Sequence, residues 1–209
     1  MGAALSTIGP RILIPGFFLG PKLATMNDWV EIFQTIALSI LFISFATTLF
    51  SEIYWLAPIP GIAAWAYWNM LQHKNEIEKY RYTDWAMTTP LMILAILTVN
   101  GAPLATKVGA VLLDLIMIGS GYYGAIEPDQ TKKMLFFFLG CMVFIPILYI
   151  LYTMKKSKWA IGLTLIMWLL YPLVWYADEE NHIPASTANI TYSIMDVVAK
   201  VGLVNFLHI

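Results

Sequence analysis

Charged side chains are scarce in this sequence. Asp, Glu, Lys and Arg make up 12% of its 209 residues, whereas 59% of the residues are hydrophobic. A soluble globular domain has about 25% charged residues. This deficit and the long apolar runs exclude an ordinary soluble domain and predict an integral membrane protein. Because one span needs about 20 residues, seven spans with short loops use nearly the whole chain and leave no room for a soluble domain.

Cysteine and clustered basic residues are also lacking. Cys141 is the single cysteine, so an intrachain disulfide is excluded, and its apolar surroundings in the sequence favour a small core residue. The net charge is -1 and the sequence has no basic patch. Nothing therefore indicates a nucleic-acid partner.

Residues 1–25 are apolar but interrupted by several glycines and prolines. Arg11 and Lys22 flank the apolar part, whereas a secretory signal peptide has a basic start followed by a clean apolar core. We therefore expect residues 1–25 to form an N-terminal extracellular or interfacial segment and residues 26–209 to form the membrane domain.

Seven apolar segments follow, separated by short polar turns. Asn27 and Asp28 are a plausible cap for the first segment. Pro60 falls inside the second, where membrane helices tolerate proline. The segments predict an all-α bundle with spans near 27–50, 53–73, 80–99, 105–126, 132–153 and 159–177, and a last span that contains 189–205.

Loop charge predicts the orientation of the chain. Lys155, Lys156 and Lys158 lie between the fifth and sixth spans, and lysine-rich loops tend to be cytoplasmic. With seven spans, this loop places the N-terminus outside the cell and the C-terminus inside.

Asp196 and Lys200 lie four residues apart in the last span, on one face of a helix. A charge in the middle of a span costs about 3 kcal/mol on insertion scales, so the pair needs an explanation. One explanation is a buried ion pair that only holds helices together. The other is a lysine whose amine forms a Schiff base with a carbonyl compound, with Asp196 as the counter-ion.

Further polar and aromatic residues share faces of the neighbouring spans. Arg81, Asp84 and Thr88 follow helical spacing in the third span, and Asp114 is another acid in the fourth. The sixth span carries Trp168, Tyr171, Pro172 and Trp175 on one face. Aromatic residues at this spacing are usually packing residues. Together with a buried lysine and two aspartates, however, they indicate a pocket for a long apolar cation that is held covalently at one end.

Five motifs occur in order along spans three to seven: RYTDWAMTTPL from Arg81, DLIMIGSG from Asp114, YILY from Tyr149, WLLYPLVW from Trp168 and SIMDVVAKVG from Ser193. Together they resemble the third to seventh helices of microbial (type 1) rhodopsins of the bacteriorhodopsin and proteorhodopsin kind. The resemblance implies a seven-transmembrane-helix bundle with covalent retinal in its core, and a photoactive protein rather than an enzyme.

The resemblance also implies roles for individual residues. Lys200 carries all-trans retinal as a protonated Schiff base, and Asp84 and Asp196 are its counter-ions, with Asp84 the proton acceptor. Thr88 bonds Asp84, and Arg81 lies on the extracellular side of the pair. Tyr67 bonds Asp196, and Asp114 lies near the ring end of retinal. The residues implied to line retinal are Trp85, Thr89, Met92, Met117, Gly121, Trp168, Tyr171 and Trp175. By the same resemblance, the apolar Met92 implies green rather than blue absorption.

Several positions depart from the pattern of strong outward proton pumps in this family. Ala95 stands where they carry a cytoplasmic acid, so reprotonation is expected to be slow or to come from elsewhere. Glu52 is a candidate substitute donor, although a solvated charge at a helix end explains it equally well. Asn205 could help to hold a water chain. Glu180 matches one of two extracellular glutamates, but Ala188 replaces the other.

The leading functional hypothesis is a light-driven outward proton pump. A carboxylate at Asp84 favours it over a chloride pump, in which a neutral residue is expected. The alternatives are a light-gated ion channel, a slow-cycling photosensor, and a non-photoactive transporter with a structural Asp–Lys pair. The expected partners are the lipid bilayer, retinal, protons or small cations, and further copies of the chain in a trimer or pentamer.

Overall fold

The computed structural model describes residues 25–207. Within this range the chain forms seven α-helices and no β-strand. The expected segment 1–25 lies outside the described residues except for Thr25. The helices are α1 (Met26–Leu49), α2 (Pro58–Gln72), α3 (Ile77–Val99), α4 (Leu104–Ile126), α5 (Gln130–Tyr152), α6 (Lys158–Glu179) and α7 (Ala185–Phe206).

The largest difference from the predicted spans is at the start of α2. The helix begins at Pro58, and residues 54–56 form a separate 3₁₀ turn. Pro60 therefore lies in the first helical turn, where the N–H that proline lacks has no intrahelical partner in any case. The interpretation of Pro60 as a proline in the middle of a span is wrong.

The cap of α1 also differs from the prediction. Thr25, rather than Asn27 or Asp28, is the N-cap residue, and it forms a capping box with Asp28. The main-chain N–H of Thr25 donates to Asp28 Oδ2 at 2.7 Å, and the main-chain N–H of Asp28 donates to Thr25 Oγ1 at 3.3 Å. This reciprocal arrangement satisfies main-chain donors that the helix leaves free.

Helix α3 is the central helix of the bundle. The span that contains α3 has about 67% of its apolar stretch buried inside the bundle. The corresponding share is 17–28% for α1, α4, α5 and α6. These five segments are long and apolar enough to cross a membrane. Helix α2 has 15 residues, and α7 carries Asp196 and Lys200.

Neighbouring helices pack against one another around the bundle, and α1 packs against both α2 and α7. Gly202 lies where α6 approaches α7, and a Cβ there would be 2.1 Å from Leu163 Cδ2. A side chain at this position would push the two helices apart. The close contact fixes α6 beside Lys200, two residues earlier on α7.

The two ends of the bundle differ in chemistry. One end holds the loop between α5 and α6 and is called the α5–α6 end. There, Asn100 Oδ1 accepts hydrogen bonds from the main-chain N–H groups of Lys155 and Lys156. The opposite end, which holds the loop between α6 and α7, is called the α6–α7 end. There, ion pairs join Lys74 to Glu31 and Lys133 to Glu179. A cluster of buried apolar side chains lies between the bundle centre and the α5–α6 end and includes Leu56, Ile96, Leu151, Ile161 and Leu203.

Candidate functional site

The centre of the bundle holds an amine between two carboxylates. Lys200 Nζ on α7 lies 2.7 Å from Asp84 Oδ2 on α3 and 2.7 Å from Asp196 Oδ1 on its own helix. All three side chains are at most 2% exposed. Burial strengthens these interactions, because no solvent screens them. Removal of one partner from such a site is strongly destabilising, since it leaves a buried charge uncompensated.

Asp196 is surrounded by hydrogen-bond donors. The Tyr67 hydroxyl donates to Oδ2 at 2.8 Å, as the resemblance implied. The Tyr171 hydroxyl donates to Oδ1 at 2.8 Å, and Trp85 Nε1 donates to the same oxygen at 3.1 Å. Three helices besides α7 therefore fix this carboxylate and stabilise its negative charge.

Asp84 has fewer hydrogen bonds. Its Oδ2 accepts from Lys200, but its buried Oδ1 has no hydrogen-bond partner among residues 25–207. The Thr88 hydroxyl, which was expected to bond the carboxylate, lies beside it and donates to the main-chain carbonyl of Asp84 at 2.8 Å. One oxygen of Asp84 is thus left as an open acceptor next to the lysine.

A cavity extends from Lys200 between α3, α4, α5, α6 and α7. Its lining includes nine of the residues named as retinal-binding from the resemblance, and Asp196 also reaches it. These nine are Lys200, Trp85, Thr89, Met92, Met117, Gly121, Trp168, Tyr171 and Trp175. Asp114 and Tyr67 do not line the cavity. They contact residues that do.

Asp114 contacts the cavity wall through Thr89. Asp114 Oδ2 lies 2.7 Å from Thr89 Oγ1, which is also 2.8 Å from the main-chain carbonyl oxygen of Trp85. Asp114 is fully buried, and its Oδ1 has no hydrogen-bond partner within the described part of the chain. The aspartate therefore links α4 to α3 from behind the lining.

Helix α5 also lines the cavity, although none of its lining residues was among those expected to bind retinal. Phe137, Gly140, Cys141 and Phe144 all line it and follow the spacing i, i+3, i+4 and i+7. That spacing marks one helical face and was visible in the sequence. Cys141 is half-buried and faces the cavity, so its interpretation as a core residue is wrong.

Arg81 lies on the α6–α7 side of the site. Its guanidinium bonds Glu78 and the Asn189 side chain and stacks over the ring of Tyr192 at 4.5 Å. Arg81 is 2% exposed, and its side-chain hydrogen bonds within the described residues go to Glu78 and Asn189 rather than to Asp84. The arginine thus connects the centre of the bundle to the acidic side chains at that end.

The structure separates Glu52 from this site. Glu52 is exposed in the turn between α1 and α2, which agrees with the alternative interpretation of a solvated charge at a helix end. It makes no hydrogen bond or ion pair to any residue of the site within the described chain.

Asn205 is also exposed, and its amide donates to the main-chain carbonyl of Val201 at 2.7 Å. The expectation that Asn205 lines an internal water path is therefore wrong.

Ala95 is buried in the apolar cluster near the α5–α6 end. Glu180 accepts a bond from Gln130 at 2.5 Å, and Ala188 is fully buried.

Comparisons with known proteins agree with this architecture. The family model described as bacteriorhodopsin-like protein matches residues 23–209. The chain belongs to the bacteriorhodopsin-like family. It is 29% identical to bacteriorhodopsin of Halobacterium salinarum over 170 residues, which cover 69% of this chain and 65% of that protein.

Two solved structures of light-driven pumps share the fold. The light-driven proton pump of Coccomyxa subellipsoidea superposes with a TM-score of 0.78 at 22% identity, covering 88% of this chain and 97% of that one. Halorhodopsin, a light-driven chloride pump, superposes with a TM-score of 0.81 at 18% identity, covering 87% and 94%. The fold is therefore common to pumps of different ions.

The cavity fits the cofactor of this family, which is retinal bound to a lysine through a Schiff base. A long polyene needs apolar walls, and the lining is aromatic and aliphatic except close to the amine. A cationic nitrogen at the end of the polyene needs negative charge, which Asp84 and Asp196 provide. Lys200 is the lysine of the lining, so it is the residue that would hold the cofactor. Gly121 has no side chain to fill the cavity, and a Cβ there would lie 3.1 Å from the Tyr82 ring.

Proposed function

We propose that the protein is a light-driven outward proton transporter and that Asp84 is the proton acceptor. The observation that carries this proposal is the placement of Asp84 Oδ2 2.7 Å from Lys200 Nζ, with Oδ1 of the same carboxylate left without a hydrogen-bond partner in residues 25–207. Proton transfer requires an acceptor within hydrogen-bond reach, and this geometry provides one.

The two carboxylates take different roles. When bound, retinal supplies light absorption and a protonated nitrogen whose position changes on isomerisation. Asp196 accepts from Tyr67, Tyr171 and Trp85, and these donors stabilise its charged form, so it remains a fixed counter-ion. Among residues 25–207, the Asp84 carboxylate accepts a hydrogen bond from Lys200 on Oδ2, whereas its Oδ1 has no partner. Asp84 is therefore the carboxylate that takes the proton.

The charge of the site favours protons over chloride. Both a proton pump and a chloride pump share this fold, so the side chains around the lysine must select the ion. Here two carboxylates lie 2.7 Å from the amine. A chloride ion at this position would be repelled by both of them in a medium of low dielectric constant.

The direction of release follows from the polarity of the two halves. Polar side chains continue from the site towards the α6–α7 end, where Arg81 bonds Glu78 and Asn189. Towards the α5–α6 end, the buried cluster is apolar and contains Ala95. A proton on Asp84 therefore leaves towards the α6–α7 end. If the lysine-rich α5–α6 loop is cytoplasmic, with the N-terminus outside, this direction is outward.

The apolar half also bears on the alternatives. Among the residues that the structure describes, the buried cluster of this half is apolar, which disfavours a light-gated channel. It also predicts slow proton return, which favours a slow-cycling photosensor as the second candidate function. Assembly into a trimer or pentamer in the bilayer remains a prediction from the resemblance.

Light-induced current, recorded against voltage in clamped cells that express the retinal-reconstituted protein, tests the proposal. A pump gives an outward current of one sign at every voltage. A current that reverses at an ion's equilibrium potential would identify a channel and refute the proposal. A visible photocycle without current would identify a photosensor. Lys200→Ala, measured at matched expression, is the control for currents unrelated to retinal.

A further inference from the structure

Thr164 carries a buried hydroxyl in the apolar half of the bundle. Its side chain is 0% exposed, and Oγ1 has no hydrogen-bond partner in the part of the chain that the structure describes. A buried hydroxyl left without a partner is costly, and ordered water commonly satisfies such groups in protein interiors.

Many other helical hydroxyls in this protein form a hydrogen bond within their own helix, by donating to the main-chain carbonyl four residues earlier. Thr164 does not bond the carbonyl of Ala160 in this way. The hydroxyls that do are those of Thr35, Ser39, Thr47, Thr48, Thr83, Thr88, Thr89, Ser120, Thr191 and Ser193. The Thr164 hydroxyl is therefore available to a partner other than its own helix.

Thr164 lies between the cavity and the α5–α6 end. It is one helical turn, about 6 Å along the axis, from Trp168, which lines the cavity. In the other direction it is six residues, about 9 Å, from Lys158, the first residue of α6. Ile161 and Trp168, on either side of Thr164 along the helix, both belong to the apolar cluster. Thr164 is thus a polar group placed midway through an apolar barrier.

We propose that Thr164 holds a water molecule on the path by which a proton returns from the α5–α6 end to the nitrogen of Lys200. This inference rests on the proposed function. A hydroxyl can donate one hydrogen bond and accept others, so it can orient a water molecule that passes a proton along. Ala95 provides no acid for this step, and the structure keeps Glu52 away from the site. One proton enters from solvent for each proton released, and only O–H and N–H bonds form and break.

Thr164 acts in this scheme as a positioning residue, through the water that it holds. Thr164→Val keeps the shape of the side chain and removes the hydroxyl, whereas Thr164→Ser keeps the hydroxyl and removes the methyl group. Thr98→Val is a matched control, because Thr98 is an exposed threonine on α3. The two readouts are the proton-uptake phase after a light flash, followed with a pH-sensitive dye, and the ordered water seen in high-resolution structures of the dark state.

We expect Thr164→Val to slow proton uptake by about tenfold, the effect of one hydrogen bond lost in a rate-limiting step. Its absorption maximum and its rate of proton release should stay as in the wild type. Thr164→Ser and Thr98→Val should keep the wild-type uptake rate. Water should lie within hydrogen-bond distance of Oγ1 in the wild type and of Oγ in Thr164→Ser, and it should be absent in Thr164→Val.

Unchanged uptake in Thr164→Val would overturn the inference, as would a wild-type structure without water at Thr164. Equal slowing in Thr164→Ser would also overturn it, because the methyl group rather than the hydroxyl would then matter. These failures differ from failure of the proposed function. A wild-type protein that releases no proton in light would refute the transporter, whereas normal release with an uptake phase insensitive to Thr164→Val refutes only the role of Thr164.

Discussion

Lys200 on α7 and Asp84 on α3 form an ion pair across the centre of the bundle, with Nζ 2.7 Å from Oδ2, although 116 positions separate them in the chain. Asp84 belongs to the most buried span, and neither oxygen of its carboxylate reaches solvent. The pair brings a second negative charge to an amine that already faces Asp196. The amine of Lys200 is therefore bound directly to α3 as well as to its own helix.

Replacement of Lys200 tests the attachment site. We expect Lys200→Ala to abolish the visible absorption band after addition of all-trans retinal, because the cavity then has no amine to form the Schiff base. Absorption spectra of purified protein provide the measurement. Lys155→Ala, which alters an exposed loop lysine, should keep the full band. A visible band in Lys200→Ala would contradict the assignment.

Neutralisation of Asp84 tests the proposed acceptor. In Asp84→Asn the negative charge beside the nitrogen is lost, so less energy is needed to move the positive charge along the polyene, and the absorption should shift to the red. Flash-induced proton release should disappear, because an amide cannot take up the proton. Asp129→Asn, which keeps a good N-cap for α5, is the control and should change neither property. Normal release in Asp84→Asn would exclude Asp84 as the acceptor.

Much of the fold was predictable from the sequence, because a membrane span has a fixed length and excludes charge. Six of the seven predicted spans overlap a helix closely, and the start of α2 is the exception. Its 3₁₀ turn and proline-rich first turn are as apolar as the helix that follows, so hydropathy could not separate them. Asp196 and Lys200 were paired correctly, because helical spacing alone fixes that contact.

Contacts between helices were harder to predict. The donors to Asp196 come from three other helices, and only the resemblance pointed to Tyr67.

Asn205 illustrates how the rotation of a helix decides which way a residue faces. Five residues after Lys200 correspond to a rotation of about 500°, which places Asn205 about 140° away from the face of the lysine. Asn205 is therefore close to Lys200 in the sequence but lies on a different, exposed side of α7.

Tyr67 is the only donor to Asp196 Oδ2 among the residues that the structure describes. Tyr67→Phe leaves this buried oxygen without a hydrogen bond, which should lower the free energy of unfolding by about 1–3 kcal/mol. Thermal denaturation of the retinal-bound protein in detergent measures the effect. Tyr149→Phe, at a side chain that is 68% exposed, is the control. Equal melting temperatures for Tyr67→Phe and the wild type would show that the bond to Asp196 adds no stability.

Asn100 ties the α5–α6 loop to the end of α3. Its Oδ1 accepts from the main-chain N–H groups of Lys155 at 2.9 Å and Lys156 at 2.7 Å. Asn100→Ala removes both bonds, so amide hydrogen exchange at these two residues should accelerate by about tenfold. Asn205→Ala should leave their exchange unchanged, because its amide bonds only its own helix. Protection at Lys155 and Lys156 that survives Asn100→Ala would show that other contacts hold the loop.

Glu52 is the remaining candidate for a proton donor from the sequence. The structure places it exposed in the α1–α2 turn, and buried apolar residues, among them Leu56 and Ile59, lie in the cluster towards the site. Since no polar side chain links Glu52 to Lys200 in the described structure, Glu52→Gln should leave the rate of proton uptake within about twofold of the wild type, the range expected for a surface charge. Uptake after a flash, compared in parallel with Thr164→Val, provides the measurement. Slow uptake in Glu52→Gln together with normal uptake in Thr164→Val would reverse the assignment and make Glu52 the donor.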